Sequence, residues 1–427
     1  MTEMDNRVLM IAFHFPPFRG SSGLQRTVSF SRYLPAYGWS PVILTAHPRA
    51  YLGVDGTQLA DISASVPVKR AFAADTARHL SLNGRYFQWM ALPDRWVSWF
   101  LWAVPAGLRL ARKYRPKVLW STYPIATAHL IGLALHRLTG IPWVADFRDP
   151  MVEFDPLTQR QFPPDPALRQ ARCWVERQTV RHCSRAVFVA PGALQLYADR
   201  YPDVPSTRWA LIPNGFDEEA FAGAERIPCR KCTPGSHLVL LHSGELYPSP
   251  DRDPTALFEA LARLRAAGKI SSANLRVMLR GSLHEEFYRD LIGEHGIEDI
   301  VTLKPPIPYR EALAEMLGAD GLLLFQGRDS NPAIPAKLYE YLRARRPMFA
   351  MVHAEGDTAK ALRSARVGKI VPMDSSELIV EGLLEFLEQV RAGKAPIADH
   401  AEIQRHSRES RARELAQLLD ALVLCEA

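Results

Sequence analysis

The sequence predicts an α/β protein built from two doubly wound domains, each a parallel sheet with helices on both faces. Short apolar runs recur along the 427 residues, as expected for strands buried on both sides, and longer helical segments separate them. The alternation breaks once, over residues 218–237, which are polar, contain proline and lack periodicity. We therefore expect an N-terminal domain over 1–217, a linker over 218–237 and a C-terminal domain over 238–400.

The first half opens with a strand, a loop, a helix and a second strand. Val8–Phe13 is a continuous apolar run that predicts a buried strand, and a tight loop with Gly20 and Gly23 follows it. The next segment predicts a helix that ends near Gly38, before a strand at Val42–Thr45. The same pattern predicts strands at Val118–Ser121, Trp143–Asp146, Ala186–Ala190 and Leu211–Pro213, and helices at Ala126–Leu138 and Arg169–His182.

The second half repeats this alternation after the break. Strands are predicted at Leu238–His242, Arg276–Arg280, Ile300–Leu303, Gly321–Phe325 and Met348–Val352. Helices are predicted at Pro254–Ala267, His284–His295, Tyr309–Leu317 and Pro335–Arg343, with a charged amphipathic helix over about Glu402–Leu424 at the end. Two such domains facing each other form a cleft at the carboxyl ends of their strands, where ligands bind in open α/β sheets.

Composition narrows the class of protein. Lys and Arg number 52 against 46 Asp and Glu, a net charge of +6 that permits anionic ligands, but no basic tract or aromatic motif predicts nucleic-acid binding. Five cysteines are too few for a disulfide framework. The first apolar run lacks the features of a signal peptide, and no apolar stretch reaches the ~18 residues that span a bilayer. We therefore expect a cytoplasmic protein, free or peripheral on the inner face of the cell membrane.

Gly20 and Gly23 lie between a predicted strand and the start of a helix. Small residues there let a phosphate or sugar approach backbone N–H groups at the positive end of the helix, so both are candidate donor-binding residues. A simple tight turn is the alternative. His14, which follows the strand, is a candidate acceptor-binding residue.

Asp146, Arg148 and Asp149 come directly after a predicted strand. Charged groups at the carboxyl end of a strand are expected to point into a cleft, because burying them unpaired is costly. We expect Asp146 and Arg148 to bind the acceptor, and Asp149 to remove a proton from its hydroxyl. An internal Arg–Asp pairing within the loop is the alternative.

A helix that starts near Pro335 predicts a phosphate site. Proline suits the first helical position, and the preceding loop, Gly327–Ile334, directs backbone N–H groups outward. Arg328 and Lys337 are candidate counter-charges for a diphosphate, and Glu340 is placed to accept hydrogen bonds from a ribose diol. The alternative is an ordinary capped helix with a solvated Lys–Glu face.

Gly244 and Arg252 follow the first strand of the second half. Gly244 permits close approach of the backbone to a ligand, and Arg252 is a candidate catalytic cation beside a phosphate. The Asp-x-Asp pattern around Arg252 occurs often by chance and predicts little. Cys229 and Cys232 form half of a zinc pattern, but no second pair lies nearby, so no metal site is predicted.

The stretch Trp89–Lys117 combines aromatic residues at helical spacing with a basic end, a combination that suits docking on an anionic membrane surface. The candidate docking residues are Trp96, Trp99, Arg109, Arg112 and Lys113. A core helix with a solvated basic tip is the alternative, and Pro105 argues against one unbroken helix.

Motifs spread over most of the chain carry a family resemblance. The first half contains GSSGLQR, STYP at 121–124, ADFRDP at 145–150 and IPNGFD at 212–217, and the second half contains HSGELY at 242–247 and IPAKLYEYL at 334–342. IPNGFD together with IPAKLYEYL is the most specific pair. These motifs resemble those of the retaining GT-B glycosyltransferases of family 4, and most closely the branch that builds bacterial exopolysaccharides and lipid-linked glycans.

The resemblance implies two Rossmann-like domains, with a nucleotide-sugar donor held by the second and an acceptor by the first. It also implies that the terminal helix, over 401–427, packs on the N-terminal domain. Neither a metal nor another cofactor is expected, because basic side chains and a helix N-terminus neutralise the diphosphate. Retention would follow from front-face attack of the acceptor hydroxyl as the diphosphate leaves.

The chain departs from the family pattern in its paired glutamates, which are separated by seven residues in the family. Glu340 fits the second position, whereas Pro332 occupies the first. The resemblance therefore assigns the contacts to the sugar ring to the backbone between Asn331 and Ile334.

Two further departures concern charged contacts. The usual Gly-Arg after the first strand of the second half reads Gly244-Glu245, so Arg252 is expected to replace that arginine, supported by Lys337. Many family members carry a histidine where this chain has Ser121-Thr122, so no such acceptor contact is carried over.

These features predict a peripheral, metal-independent glycosyltransferase that moves a sugar from a nucleoside diphosphate to a hydroxyl of a lipid-linked or polysaccharide acceptor. Two alternatives remain open, a nucleotide-sugar 2-epimerase and a catalytically silent GT-B scaffold of a polysaccharide assembly complex. The base, the sugar, the acceptor and the oligomeric state are not predicted.

Overall fold

The computed structural model describes residues 6–20, 22–154, 161–228, 237–246, 248–249 and 251–424. The chain divides into two compact units: the first comprises Met1–Asn214 and Arg408–Ala427, and the second Gly215–Ser407. Each unit has one parallel sheet with its own core, so the α/β class and the two Rossmann-like domains predicted from the sequence are confirmed.

The first unit contains a parallel sheet of seven strands in the order β3-β2-β1-β4-β5-β8-β9. Its strands are β1 (Asn6–Ile11), β2 (Trp39–Ala46), β3 (Val68–Ala71), β4 (Val118–Thr122), β5 (Trp143–Arg148), β8 (Arg185–Phe188) and β9 (Trp209–Leu211), with a separate antiparallel pair β6 (Glu153–Phe154) and β7 (Gln161–Phe162). Its helices are α1 (Ser22–Tyr33), α2 (Thr76–His79), α3 (Trp99–Tyr114), α4 (Ala126–Thr139), α5 (Pro166–His182) and α6 (Pro191–Arg200).

The second unit contains a parallel sheet of six strands in the order β12-β11-β10-β13-β14-β15. Its strands are β10 (Leu238–Ser243), β11 (Leu275–Arg280), β12 (Val301–Lys304), β13 (Gly321–Gln326), β14 (Met348–Val352) and β15 (Lys369–Val371). Its helices are α7 (Glu218–Ala224), α8 (Thr255–Ala266), α9 (Glu285–Glu294), α10 (Tyr309–Gly318), α11 (Ala336–Ala344), α12 (Asp357–Ser364), α13 (Ser376–Arg391) and α14 (His400–Arg405).

The end of the chain returns to the first unit as α15 (Arg408–Leu424). Its buried residues, among them Leu415 and Leu419, join a core that also contains Val8 and Trp120 on the sheet. The indole nitrogen of Trp39 donates a hydrogen bond to Asp420 at 2.8 Å. The sequence predicted one terminal helix, whereas the structure has two, α14 and α15.

Two local predictions differ from the structure. Residues 218–237 were expected to be an aperiodic linker, but the first seven form α7, because the Asp217 carboxylate caps the backbone N–H groups of Glu219 and Ala220. Cys229 and Cys232 lie outside the described residues. Pro105 does not break its helix: α3 continues through it, with the ring on an exposed face.

The core strands follow the apolar runs of the sequence. β1 is buried from Val8 to Ile11, and its neighbours β2 and β4 cover both of its edges. Because all strands of each sheet are parallel, their carboxyl ends gather at one edge, where the connecting loops carry the candidate residues. Of the helices within the described ranges, none has the length and apolar character needed to cross a membrane.

Candidate functional sites

In the first unit, the carboxyl edge of the sheet brings His14, Gly23, Arg148 and Asp149 together. Gly23 lies in the first turn of α1, and a Cβ atom there would stand 2.0 Å from a guanidinium nitrogen of Arg148. Any larger residue at this position would therefore displace the guanidinium from the start of α1. The predicted donor residue Gly20 lies exposed in the loop just before α1.

Arg148 is buried, and its backbone has a φ of 59°, which is unusual for a residue with a side chain. Its guanidinium donates a hydrogen bond to the Tyr123 carbonyl at 3.2 Å and lies 3.7 Å from the Asp149 carboxylate. The Asp149 side chain is half exposed, at 52%. This arrangement fixes the arginine and leaves the Asp149 carboxylate accessible.

His14 packs between aromatic rings near Arg148. Its ring stacks on Phe18, with ring centres 4.1 Å apart, and meets the edge of Phe13. Burial, and secondarily the charge of Arg148, lowers the pKa of His14 to about 4. The imidazole is therefore neutral near pH 7, and its buried Nδ1 has no hydrogen-bond partner among the described residues.

Asp146 occupies a different environment from the one predicted. It is fully buried, and both carboxylate oxygens accept hydrogen bonds from Arg26 on α1, at 2.9 and 3.1 Å. The Thr122 hydroxyl donates to the same carboxylate at 3.2 Å. Its own partners therefore enclose the carboxylate that was predicted to bind the acceptor. The pairing is with Arg26 of α1, not the pairing within the loop that was the alternative.

Arg26 is a residue that the sequence analysis did not single out, although it lies in the quoted GSSGLQR motif. Besides Asp146, it donates to the carbonyls of Ile212 and Pro213 at 2.9 and 3.0 Å. Arg411 on α15 donates to the next carbonyl, that of Asn214, at 3.3 Å. The IPNGFD motif is thus held through its backbone carbonyls by two arginines.

His129 lies in the core of the first unit. The Trp143 indole donates to the Ser121 hydroxyl at 2.8 Å, and that hydroxyl is hydrogen-bonded to His129 Nδ1 at 2.7 Å. Burial lowers the pKa of His129 to about 3. Ser121, at the position where many family members have histidine, therefore belongs to a buried network.

The predicted membrane stretch divides into buried and exposed parts. Trp99 is fully buried in the core, so its predicted docking role is wrong. Trp96 is partly buried, with its indole donating to the Ala50 carbonyl at 3.2 Å and its ring 5.0 Å from that of Phe13. The exposed predicted residues are Arg109, Arg112 and Lys113.

In the second unit, Gly244 and Lys337 come together at the carboxyl edge of the sheet. Gly244 follows β10 with a φ of 148°, and a Cβ atom there would lie 2.1 Å from Lys337 Cε. Lys337 is in the first turn of α11 and forms no ion pair with any described residue. A glycine is therefore required for the lysine side chain to lie across this loop.

Arg252 and His242 belong to the same cluster. The Arg252 guanidinium lies 3.5 Å from the Glu245 carbonyl and 3.5 Å from the Asp251 carboxylate. His242 is buried at the end of β10, and its Nδ1 bonds to the Leu323 carbonyl at 2.9 Å. Burial, followed by the charges of Lys337 and Arg252, lowers the pKa of His242 to about 3. His242 is the first residue of the HSGELY motif, but the sequence did not indicate a role for it.

The loop before α11 is braced from within the second unit. The Gln326 amide donates to the carbonyls of Ser330 and Ala333 at 2.8 and 2.9 Å, and the Ser330 hydroxyl bonds to Asp251. Asn331 lies 3.2 Å from His353 through their side-chain nitrogens. The other predicted donor residues in this loop are Arg328, which is exposed, and Ile334, which is mostly buried.

Glu340 lies in the second turn of α11 and is 9% exposed. The Tyr309 hydroxyl donates a hydrogen bond to its Oε1 at 2.8 Å. The second oxygen, Oε2, accepts no hydrogen bond from the described residues. Tyr309 was not predicted as a site residue, because it is distant from the IPAKLYEYL motif in sequence.

Metal ligands do not cluster in the described part of the chain: no three side chains of His, Cys, Asp or Glu there come together in a way that would hold an ion. Both candidate sites consist of basic side chains, backbone amides and single carboxylates.

The chain has recognisable relatives in sequence over part of its length and in structure over nearly all of it. Residues 21–215 match the family model described as a glycosyl transferase 4-like domain. No functionally curated protein is significantly similar to the chain in sequence.

Solved structures share the fold over nearly the whole chain at low identity. Sucrose-phosphate synthase from Thermosynechococcus elongatus is 16% identical with a TM-score of 0.63, covering 98% of this chain and 100% of that one. HepE from Anabaena, in complex with UDP and glucose, is 13% identical with a TM-score of 0.61, covering 97% and 100%. WaaG, a glycosyltransferase involved in lipopolysaccharide biosynthesis, is 13% identical with a TM-score of 0.61, covering 96% and 99%.

These likenesses establish the GT-B fold. The match of residues 21–215 to a glycosyl transferase 4-like domain, together with this fold, supports an enzyme of the transferase class.

Proposed function

We propose that this chain is a retaining, metal-independent glycosyltransferase that moves a sugar from a nucleoside diphosphate to a hydroxyl of a lipid-linked or polysaccharide acceptor. The observation that carries the proposal is Lys337, which lies across Gly244 at the start of α11 and has no carboxylate partner among the described residues. An uncompensated cation at a helix N-terminus, on the carboxyl edge of a parallel sheet, matches a diphosphate in charge and in position.

The second unit binds the donor in this proposal. Lys337, Arg252 and Arg328 neutralise the diphosphate as it leaves, and Glu340 accepts hydrogen bonds from the ribose diol through Oε2. The backbone from Asn331 to Ile334 contacts the sugar. Support comes from HepE, whose solved structures contain UDP with glucose and UDP-glucose.

The first unit binds the acceptor. Arg148 orients the acceptor and Asp149, the exposed carboxylate of the DFRD motif, receives its hydroxyl proton. The acceptor oxygen forms a bond to the anomeric carbon on the face from which the diphosphate departs, while the bond from that carbon to the diphosphate breaks. Neutral His14 lies beside Arg148 and forms part of the wall of the acceptor site. WaaG, which acts in lipopolysaccharide biosynthesis, supports the acceptor class.

The first test is donor binding by the purified protein. A panel of UDP, GDP, ADP and TDP should raise the melting temperature with one base preferred, since ligand at ~100 times its dissociation constant adds ~2.7 kcal/mol of stability. The matching nucleotide sugar should then be consumed in the presence of a chelator, and NMR should show the anomeric configuration kept in the product. No shift with any nucleotide, or activity that chelation abolishes, would overturn the proposal.

A further inference from the structure

The positive charge of the chain is concentrated in one segment, residues 76–145. This segment contains nine Lys and Arg residues and a single carboxylate, Asp94, whereas the rest of the chain contains 43 Lys and Arg against 45 Asp and Glu. Asp94 itself is buried and accepts hydrogen bonds from Thr127 at 2.8 Å, and burial raises its pKa. The segment's own side chains therefore present no negative charge to solvent; beside it, the exposed Asp165 carboxylate accepts hydrogen bonds from Gln88 at 3.0 and 3.1 Å.

The same segment exposes large apolar side chains. Leu82 is 80% exposed, Phe87 71%, Trp89 70%, Leu101 69% and Trp102 56%. Phe87 and Trp89 stack on each other with ring centres 6.4 Å apart. Single exposed apolar residues are normal on a protein surface, but five within 21 positions that include two tryptophans indicate a binding surface.

Helix α3 has one buried face and one exposed face. Its inner face, with Trp99, Ala103, Ala106 and Gly107, is buried, and Gly107 lets Leu135 of α4 pack against the helix. Its outer face is exposed and changes from apolar to basic along the helix, with Leu101, Trp102, Pro105, Arg109, Arg112 and Lys113. An amphipathic outer face of this kind fits the boundary between acyl chains and headgroups.

Hydrogen bonds from buried groups hold the connection between β3 and α3 in place, so its aromatic residues stay exposed. Arg95 donates to the buried Asp75 carboxylate at 2.7 Å, and the Thr76 hydroxyl donates to the Met90 carbonyl at 2.7 Å. The Ser98 hydroxyl bonds to the backbone of Ala74. The exposure of Phe87 and Trp89 is thus the result of an ordered loop.

We propose that residues 80–89 and the outer face of α3 form a docking surface for a bilayer that contains anionic lipids. Tryptophan and phenylalanine rings insert at the headgroup level, while Arg85, Arg109, Arg112 and Lys113 pair with lipid phosphates. A second copy of the chain is a poor occupant, because it would bring the same positive charge against itself. The surface stands independently of the proposed reaction, since it needs neither donor nor acceptor to be present.

The test is vesicle flotation of the full chain without substrates. Wild-type protein is expected to float with vesicles of phosphatidylcholine and phosphatidylglycerol at least tenfold more than with phosphatidylcholine alone, and less at high salt. Two variants test the two halves of the surface: Trp89→Ala with Trp102→Ala, and Arg109→Glu with Arg112→Glu and Lys113→Glu. Each should lose at least tenfold of the anionic-vesicle binding while keeping the wild-type melting temperature.

Matched controls use residues that are equally exposed elsewhere. Trp174→Ala removes an exposed tryptophan on α5, and Lys269→Glu with Arg391→Glu and Lys394→Glu makes the same charge change in the second unit. Both controls should bind vesicles as wild type does. Equal losses in the controls, no preference for anionic vesicles, or a stable dimer that the Trp89 and Trp102 variant dissolves would overturn the proposal.

Discussion

The candidate sites of the two units differ in how their charges are balanced. In the first unit, Asp146 is enclosed by Arg26, and Arg148 lies beside Asp149, so cations and carboxylates compensate each other. In the second unit, Lys337 and Arg328 have no carboxylate partner among the described residues. A site that keeps uncompensated positive charge is prepared for an anion, whereas a balanced site suits a neutral hydroxyl. The difference supports assigning the donor to the second unit and the acceptor to the first.

The largest expected effect concerns the Arg26–Asp146 pair. It tests whether the carboxylate of Asp146 is neutralised by Arg26 rather than by a ligand. Arg26→Ala should lower the free energy of unfolding by about 3–5 kcal/mol, because it leaves a buried carboxylate without its partner. Chemical denaturation measures this loss. Arg181→Ala, which removes an exposed pair with Asp203, should cost less than about 1 kcal/mol.

If Arg26→Ala keeps its stability but loses transfer activity, Asp146 would belong to the reacting groups and the comparison would fail. Asp146→Asn provides a second reading of the same pair. It keeps the shape of the side chain and should also destabilise the first unit.

The next effect tests the uncompensated charge of the second site. Lys337→Ala should reduce the turnover number about 100-fold or more, because a donor aimed at developing charge contributes roughly 3 kcal/mol to the transition state. Steady-state kinetics with the preferred nucleotide sugar measures it. The melting temperature should stay at the wild-type value, since Lys337 pairs with no buried group. Lys269→Ala, at an exposed site on the same unit, serves as the control; wild-type turnover in Lys337→Ala would contradict the assignment.

A smaller effect is expected from Tyr309, which holds Glu340 in place. Tyr309→Phe removes one hydrogen bond to a carboxylate, a contribution of about 1.5–3 kcal/mol at most. We expect the donor KM to rise about tenfold with kcat little changed, because ribose binding is weakened equally in the ground and transition states. Tyr86→Phe, on an exposed tyrosine of the first unit, should leave KM unaltered. A fall in kcat alone would instead place Tyr309 in the chemical step.

The most general effect is on the pH dependence of stability. The pKa values of His129 and His242 are lowered to about 3 by burial, and that of His14 to about 4, from the ordinary value of 6.5. The unfolded chain therefore binds more protons between these values, so stability is full above about pH 6.5 and falls as the pH drops toward 4.

Denaturation at several pH values checks this dependence. His129→Leu should lower stability at pH 7.5, because it breaks the contact with Ser121, yet show a shallower decline below pH 6.5. His400→Gln, at an exposed position, should keep the wild-type slope. An unchanged slope in His129→Leu would mean that this histidine is already charged in the folded state.

The sequence predicted the strands well, because buried parallel strands are continuous apolar runs bounded by turn residues. It did not separate Asp146 from Asp149, which share one motif. Their difference depends on Arg26, which is 120 positions away and reaches only the first of them. Trp99 and Trp102 show the same limit: both are aromatic at helical spacing, but the orientation of α3 buries one and exposes the other. Close contacts such as Gly23 with Arg148 depend on the tertiary fold, and no local pattern indicates them.

Helix α15 has a consequence for how this protein is made. The first unit completes one face of its sheet with residues 408–424, so about half the chain must leave the ribosome after Asn214 before that face can close. Until then, Val8, Trp120 and their neighbours lack the leucines that cover them. The second unit is contiguous in sequence, so it can fold before α15 is synthesised. We expect the nascent first unit to depend on chaperones until α15 has been made.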